Sequence, residues 1–230
     1  MLRVQARKAR AEIVSGALRG PALLERVLAV PLRDRDAWLD EILRIEGIPS
    51  DIDLPRGAAP YLPSGVDDIV AMVRDVPVRP DDRLVDLGSG LGRVVILAHL
   101  LSGVPACGVE LQAHLVHSAR ERCAELALPG VSFVHANAAE VVPAGSIFFL
   151  YAPFSGEMLA RVLSRLEGIA RDRPIVVCAV ALELHGASWL TPRKTSSRSL
   201  MLYESHIPGV PPRLPHAVCD ADLSRPAGRA

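Results

Sequence analysis

The residues best placed to do chemistry lie in one short stretch, residues 84–93, which reads LVDLGSGLGR. An apolar run there ends in Asp86, and glycines follow at alternate positions, Gly88, Gly90 and Gly92. Glycine lacks a Cβ, so it adopts positive φ angles and lets a ligand approach the backbone closely. We therefore expect a tight turn between a strand and a helix, with backbone amides that face a bound molecule.

The spacing of these glycines argues against a nicotinamide dinucleotide as the ligand. The G-x-G-x-x-G fingerprint of such sites requires a glycine at position 93, where this chain has Arg93. An acidic residue two positions before the first glycine is also foreign to that fingerprint. The D-x-G-x-G-x-G pattern instead resembles the form found in sites for S-adenosylmethionine (SAM), a cation with an amino-acid tail. The sequence therefore predicts SAM as the cofactor.

Two carboxylates are candidates for holding parts of that cofactor. Glu110 ends the next predicted strand, about 20 residues after the glycines, where a carboxylate takes both hydroxyls of a ribose. Two carboxylate oxygens and two adjacent hydroxyls make a bidentate, charge-assisted match. Asp86 is a candidate for holding the SAM ammonium or the amides of the turn itself. The competing interpretations are a solvated glutamate at a strand end and an acid that only caps the turn.

The elements that must position these residues alternate regularly from Val66 onwards. Helices are predicted at Val66–Asp75, 91–101, 112–126 and 157–169, and strands at 83–87, 106–110, 131–135, 146–151 and 174–182. Short apolar strands that alternate with amphipathic helices predict an α/β fold with a doubly wound, mostly parallel, Rossmann-like sheet. Ligands bind such sheets outside the carboxyl ends of the strands, where both acids lie.

Two further strands, 189–195 and 199–207, are predicted to end the sheet as an antiparallel hairpin. The residues between them, 196–198, are too few for a crossover helix, so a parallel pairing is excluded. A parallel sheet that ends in such a hairpin is typical of a class I methyltransferase and distinguishes it from a plain nicotinamide domain.

The sequence predicts three regions. Residues 1–55 are predicted as a helical extension that packs on the main domain or serves as a lid over the pocket. Its helices are predicted at 11–18, 22–30 and 36–45, and a connector at 50–63 is predicted to be extended. Residues 56–208 form the predicted SAM-binding domain, and 209–230 a loose, proline-rich tail.

Residues 58–182 resemble the class I SAM-dependent methyltransferase family. Within that family, YLP at 61–63, DLGSGLGR at 86–93 and GVE at 108–110 are similar to the Dot1-like branch. The resemblance implies that Tyr61 closes over the methionine end of SAM. It also implies that Asn137 replaces the usual acid at the adenine amino group, and that the Ala138 amide reaches a ring nitrogen. The full predicted cofactor-binding set is Tyr61, Asp86, Gly88, Ser89, Gly90, Gly92, Glu110, Asn137 and Ala138.

The end of the fourth predicted strand faces the transferable methyl group in this family. Amino-group methyltransferases often place a polar residue, two prolines and an aromatic residue there. This chain has Tyr151, Ala152, Pro153 and Phe154, so one proline and the aromatic residue match. The resemblance implies that Tyr151, Pro153 and Phe154 position the substrate, although Phe154 also suits a core. No general base is required, because positioning and desolvation carry most of such a displacement.

Composition excludes several other classes of function. The 230 residues have zero formal net charge and are half hydrophobic, which argues against disorder and against general binding of nucleic acid. No signal peptide or membrane span is predicted, so we expect a cytoplasmic protein. Arginine greatly outnumbers lysine, which is typical of GC-rich bacterial genomes. No spacing typical of a metal site is present.

The sequence thus predicts a SAM-dependent methyltransferase that acts on a nitrogen or oxygen nucleophile. The expected acceptor is a small molecule or a protein side chain, lysine among them. The alternative is a non-catalytic SAM-binding subunit with the same fold, since a fold does not by itself imply chemistry. A nicotinamide-dependent oxidoreductase is a third interpretation, and it conflicts with Arg93 and with the hairpin.

Overall fold

Seven helices and seven strands build the part of the chain that the structure, a computed structural model, describes: residues 1–47, 49, 54–152 and 154–213. The helices are α1 Leu2–Val14, α2 Gly20–Ala29, α3 Arg35–Leu43, α4 Val66–Asp75, α5 Arg93–Ser102, α6 Ala113–Glu125 and α7 Gly156–Asp172. The strands are β1 Leu84–Leu87, β2 Ala106–Glu110, β3 Val131–His135, β4 Ile147–Tyr151, β5 Val176–Val180, β6 Leu190–Arg193 and β7 Leu200–Ser205. The 3₁₀ turn Leu32–Asp34 precedes α3.

The strands form one sheet in the order β3-β2-β1-β4-β5-β7-β6. β1 to β5 are mutually parallel, and β7 lies antiparallel between β5 and β6. The predicted α/β class, the mostly parallel sheet and the closing antiparallel hairpin are therefore confirmed. The strand order reverses between β1 and β4, so the carboxyl ends of these two strands border the crevice where such sheets bind ligands.

Helix α5 shows why the N-terminal extension is needed for a complete core. Its residues are buried nearly all round, because it packs against β1 and β2 on one side and against α2 and α4 on the other. A helix without a polar face must be covered on every side. The extension supplies part of that cover, and the apolar face of α3, with Trp38, Leu39, Ile42 and Leu43, is fully buried.

The first helix begins earlier than the sequence pattern predicts. It starts at Leu2, whereas the prediction placed a helix at 11–18. Its buried positions are Ala6, Ala9 and Ile13, which repeat at helical spacing and pack against α3. Two of these three side chains are alanines in an arginine-rich segment, so the buried face gives a weak hydrophobic signal.

Side chains of α4 hold the turn of the closing hairpin. Asp75 accepts hydrogen bonds from the amide and the hydroxyl of Ser196, at 2.6 and 2.8 Å. Asp68 accepts from the hydroxyls of Ser197 and Ser199. These contacts fix the antiparallel end of the sheet to the helix that precedes β1.

The predicted C-terminal tail is described only as far as residue 213. There the Arg213 side chain, 4% exposed, pairs with Asp82 and donates to the Pro77 carbonyl at 2.6 Å. Residues 214–230 lie outside the described residues. Among the helices that are described, none is long and apolar enough to cross a membrane.

Candidate functional site

A pocket of about 400 Å³ opens at the carboxyl ends of β1, β2, β4 and β5. It brings together most of the residues that the sequence singled out. Those that line it are Tyr61, Asp86, Gly88, Ser89, Gly90, Glu110, Asn137, Ala138, Tyr151 and Phe154. Gly92 lies in the same turn but is not part of the lining, and Pro153 lies outside the described residues.

The amides of the glycine turn do not face the pocket as predicted. Those of Gly88 and Ser89 both donate to the Val109 carbonyl, at 2.8 and 3.0 Å, and that of Gly90 donates to Glu110 Oε2 at 2.9 Å. The expectation that these amides face an incoming molecule is therefore wrong. The neighbouring strand β2 accepts their hydrogen bonds, because the turn passes directly over its end.

Close packing explains why the turn contains glycines. Gly90 has φ 51°, and a Cβ there would lie 2.4 Å from Cε2 of the Tyr61 ring. Gly92 has φ 83°, and its Cβ would lie 2.5 Å from Cζ of Phe133. Real Cβ atoms do not approach carbon this closely, so each glycine admits an aromatic ring against the backbone.

Both carboxylate oxygens of Glu110 accept hydrogen bonds from backbone amides. Oε2 accepts from the Gly90 amide at 2.9 Å, and Oε1 accepts from the Gln112 amide at 2.8 Å. The side chain lines the pocket although the residue is only 7% exposed. Each carboxylate oxygen has a further lone pair, so the group is held in place and still has capacity for a pair of hydroxyls.

Asp86 is the second buried carboxyl group of the pocket. It is 3% exposed, and burial raises its pKa well above the ordinary value, with the nearby negative charge of Glu110 acting in the same direction. The Gly88, Ser89 and Gly90 amides have other acceptors, so Asp86 does not cap them. A cation in the pocket would favour its ionised form.

Ser89, which lines the same pocket, has a buried hydroxyl oxygen without a hydrogen-bond partner in the described structure. Its hydroxyl is buried against Gly108, where a Cβ would lie 2.4 Å from Oγ. Buried polar atoms without partners are rare in native proteins and mark places where a ligand or water completes the network. A polar ligand with an ammonium and hydroxyl groups therefore fits the pocket residues Asp86, Ser89 and Glu110.

Asn137 and Ala138 line the pocket just after β3. The amide oxygen of Asn137 accepts from the Ala139 amide at 2.9 Å, and its nitrogen donates to Glu140 at 3.2 Å. The side chain thus forms an Asx-type turn. The oxygen predicted to meet an adenine amino group already has one donor and keeps one lone pair.

The ends of β4 and β5 form the opposite wall. Tyr151 ends β4, and Ala152 follows with φ 37°; Ala181 follows β5 with φ 52°. Non-glycine residues rarely adopt such angles, and they persist only where the surrounding structure holds them. All three residues line the pocket.

A segment that we call the strap, residues 54–64, lies across this wall and the glycine turn. Ala58 pairs with Phe154 in an antiparallel bridge, and the Ser155 amide donates to the Gly57 carbonyl at 2.9 Å. At its other end the Tyr61 ring covers Gly90. In the part of the chain that the structure describes, the strap, rather than α1 to α3, lines this side of the pocket.

Arg93 is a pocket residue whose role the sequence did not reveal. It enters the prediction as an argument against a dinucleotide and as the last residue of the motif at 86–93, without a role of its own, yet its side chain is 5% exposed and lines the pocket. The available signal was a single arginine that opens the otherwise apolar helix α5. Such a charge requires partners, and they come from the strap and α3.

Two histidines near strand ends, His135 and His185, lie outside the pocket lining. His135 Nε2 lies 2.9 Å from the Leu111 carbonyl, and His185 pairs with Glu183 on the exposed surface. Within the described ranges, no three histidine, cysteine or acidic side chains are grouped as metal ligands.

A family model matches the segment that contains the glycine turn and Glu110. Residues 64–129 match the model of the family described as histone methylation protein DOT1. A protein-L-isoaspartate O-methyltransferase of Methylorubrum extorquens is 31% identical over 123 residues, 51% of this chain and 49% of that protein. The chain therefore spans about half the length of this curated relative.

Two solved structures share the fold. The yhhF protein of Escherichia coli is 15% identical, with a TM-score of 0.52 over 64% of this chain and 91% of that one. The mitomycin 7-O-methyltransferase MmcR is 12% identical, with a TM-score of 0.51 over 61% and 53%. By its sheet order and the match over residues 64–129, the chain has the class I SAM-dependent methyltransferase fold, with a Dot1-like segment at the pocket.

Proposed function

We propose that this protein is a SAM-dependent methyltransferase. The observation that carries the proposal is Glu110, a buried carboxylate at the end of β2 that is bonded to the Gly90 amide and lines the pocket. It suits the two hydroxyls of a ribose, because two oxygens held in place make a bidentate acceptor. Asp86, deeper in the same pocket, suits the ammonium of the amino-acid tail.

The positions of the other parts of SAM follow from this placement of the ribose and the ammonium. Adenine lies against Asn137 and Ala138, and the Tyr61 ring lies near the sulfonium, where a cation–π contact adds a modest attraction. The methyl group points towards Tyr151 and Phe154. When bound, SAM supplies a carbon already activated for displacement by a nucleophile's lone pair. The protein then needs to orient that nucleophile and exclude water, and each of these lowers the activation barrier of the transfer.

The proposed acceptor is a nitrogen or oxygen nucleophile of a small molecule or a protein side chain, lysine among them. The relatives differ on this point, since one name refers to histone methylation and the other to O-methylation of isoaspartate. The matched DOT1 segment ends at residue 129, before β3 and before the β4 end that faces the acceptor. It therefore supports the cofactor rather than the acceptor.

Calorimetry with SAM, S-adenosylhomocysteine (SAH) and NAD tests the cofactor. We expect both SAM and SAH to bind and NAD not to bind. Binding of NAD without SAM or SAH would overturn the proposal.

Turnover separates the enzyme from a non-catalytic subunit with the same pocket. Methyl-labelled SAM is incubated with the protein and a cell extract, and labelled products are separated by size. Label in small molecules or in proteins is the expected result. Tight SAH binding without transfer to any acceptor would favour the non-catalytic alternative.

A further inference from the structure

We infer that Arg93 is a positioning residue through which the N-terminal helices hold the cofactor pocket in shape. The inference rests on the proposed function, since it concerns the same pocket. It assigns the helical extension a part in ligand binding, in addition to its part in the core.

The Arg93 guanidinium joins three separate segments of the chain. Nη1 donates to the Ser64 carbonyl, at the end of the strap, at 2.9 Å. Nη2 donates to the Asp36 carbonyl of α3 at 2.9 Å. Arg93 itself follows Gly92 directly, so the same side chain is anchored at the end of the glycine turn.

Within the described ranges, the carboxylates that pair with Arg93 both lie on α3. Nη2 lies 3.2 Å from Asp36 Oδ1 and 3.1 Å from Asp40 Oδ1. Burial raises the pKa of Asp40, and the positive charge of Arg93 opposes that rise. A buried guanidinium is tolerated only when it is paired and hydrogen-bonded, so α3 must be in place for Arg93 to occupy this position.

Asp36 also fixes the start of α4, which follows the strap. The same Oδ1 accepts from the Val66 amide at 2.9 Å, at the start of α4. Arg93 thus holds the strap at Ser64, and its partner Asp36 holds the first residue of α4, two positions further on. Three residues before Ser64, the Tyr61 ring packs on Gly90. Loss of the Arg93 contacts is therefore expected to loosen the end of the strap that carries Tyr61.

Arg35 provides a matched control. It lies on α3, donates to the carbonyls of Val30 and Leu28 at 3.0 and 3.1 Å, and pairs with Asp67 of α4. It is similarly shielded, with a side chain 14% exposed, but it does not line the pocket. A purely structural role for Arg93 would make the two arginines equivalent.

The test compares Arg93→Met with Arg35→Met in the full chain, at a temperature where circular dichroism shows each variant to be folded. Arg93→Met is expected to weaken SAH binding at least about tenfold, the equivalent of one charged hydrogen bond. Arg35→Met is expected to leave SAH affinity within about twofold, as for a change away from the site. Equal SAH affinity in Arg93→Met and the wild type, or equal losses in both variants, would overturn the inference.

Hydrogen exchange of the free protein gives a readout that needs no ligand. Amides of residues 54–64 should exchange faster in Arg93→Met than in the wild type, and not in Arg35→Met. Unchanged exchange there would count against the role of Arg93 even if SAH binding failed for another reason. Failure of the wild type to bind SAH would instead count against the proposed function.

If Arg93→Met does not fold, Arg93→Lys takes its place. Lysine keeps the charge near Asp36 and Asp40 but lacks the planar fork that reaches two carbonyls. Faster exchange of the strap and weaker SAH binding are again expected. Wild-type values for both would overturn the inference.

Discussion

The two halves of the pocket are built in different ways. At the ends of β1 and β2, which we call the cofactor half, Asp86 and Glu110 are buried carboxyl groups in a fixed backbone. At the ends of β4 and β5, which we call the acceptor half, Tyr151 and Phe154 stand among alanines with positive φ angles. The first half is defined by charge and hydrogen bonds, the second by shape.

This difference bears on what each half can specify. Charged and hydrogen-bonding groups recognise particular partner atoms, so the cofactor half favours one ligand chemistry. An aromatic and apolar wall discriminates only weakly between ligands of similar size. A difference of one methylene group changes the binding free energy by about 1–3 kcal/mol. We therefore expect substitutions in the cofactor half to affect SAH affinity strongly, and those in the acceptor half to affect it little.

The largest effect is expected from Gly90→Ala. A Cβ there would lie 2.4 Å from the Tyr61 ring, at a φ of 51° that alanine adopts with strain. Displacing the ring and straining the turn should lower the free energy of unfolding by roughly 2–4 kcal/mol. We also expect loss of SAH binding, measured by calorimetry alongside urea unfolding.

Gly168→Ala is the control for the glycine substitution. Gly168 lies inside α7, and a Cβ there would meet no atom within 4 Å. Alanine in a helix interior should stabilise the protein by about 0.5–1 kcal/mol and leave SAH affinity unchanged. If Gly90→Ala behaved in the same way, tight ring packing would not be what defines the cofactor half.

The next largest effect is expected from Glu110→Gln. The side chain keeps its size but loses the charge that strengthens its bonds to hydroxyls and to the Gly90 amide. SAH affinity should fall by about 1.5–3 kcal/mol, the contribution of a charged hydrogen bond. Titration calorimetry at neutral pH measures the change.

Glu183→Gln serves as its control, because Glu183 is an exposed carboxylate after β5 that does not line the pocket. The SAH affinity of the Glu183→Gln variant should equal that of the wild type. Equal affinities in Glu110→Gln and the wild type would place the ribose elsewhere.

Sequence alone predicted that residues of both halves share one pocket, because Asp86, Glu110 and Tyr151 each lie at the carboxyl end of a parallel strand. Glycine spacing and an acid at a strand end are local signals, so they indicated Asp86, the glycine turn and Glu110 as neighbours. The direction of the turn's amides depends on the Val109 carbonyl of another strand, and that part of the prediction was wrong. Local patterns carry no information on which strand end lies beneath a turn.

The contact of the strap with Phe154 and the role of Arg93 were missed for a similar reason. Arg93 contacts Asp36, which lies 57 residues away, and Ala58 pairs with Phe154 across most of the domain. Side-chain partners at such separations follow from packing and not from periodicity. By contrast, the order of the helices and strands from β1 to β7 was predicted, and their bounds lie within a few residues of the predicted ones. Alternating strands and helices leave strong periodic signals in the sequence.

A third prediction uses the buried Asp86. Its raised pKa means that the free protein retains the proton to higher pH than an ordinary carboxyl group. The ammonium of SAH favours the ionised form, so SAH affinity should increase as the pH rises through that pKa. The increase is at most about 1.4 kcal/mol per pH unit for one proton, measured by calorimetry across a pH series.

The stability of the free protein should change in the opposite direction. Because the folded pKa is raised, the contribution of Asp86 to stability is present at low pH and is lost as the pH rises towards that pKa. Asp86→Asn should abolish both trends. A pH-dependent SAH affinity that persists in this variant would assign the proton to another group.

The smallest effect is expected from Tyr151→Phe, which tests the boundary between the two halves. The change removes only the phenol oxygen from a residue at the end of β4. SAH affinity and the free energy of unfolding should each change by less than about 0.5 kcal/mol, as for a change that breaks no buried network. The rate of methyl transfer to whichever acceptor the extract assay identifies should change more than SAH affinity does. A loss of SAH affinity as large as that of Glu110→Gln would show that Tyr151 binds the cofactor, and the boundary would then lie beyond β4.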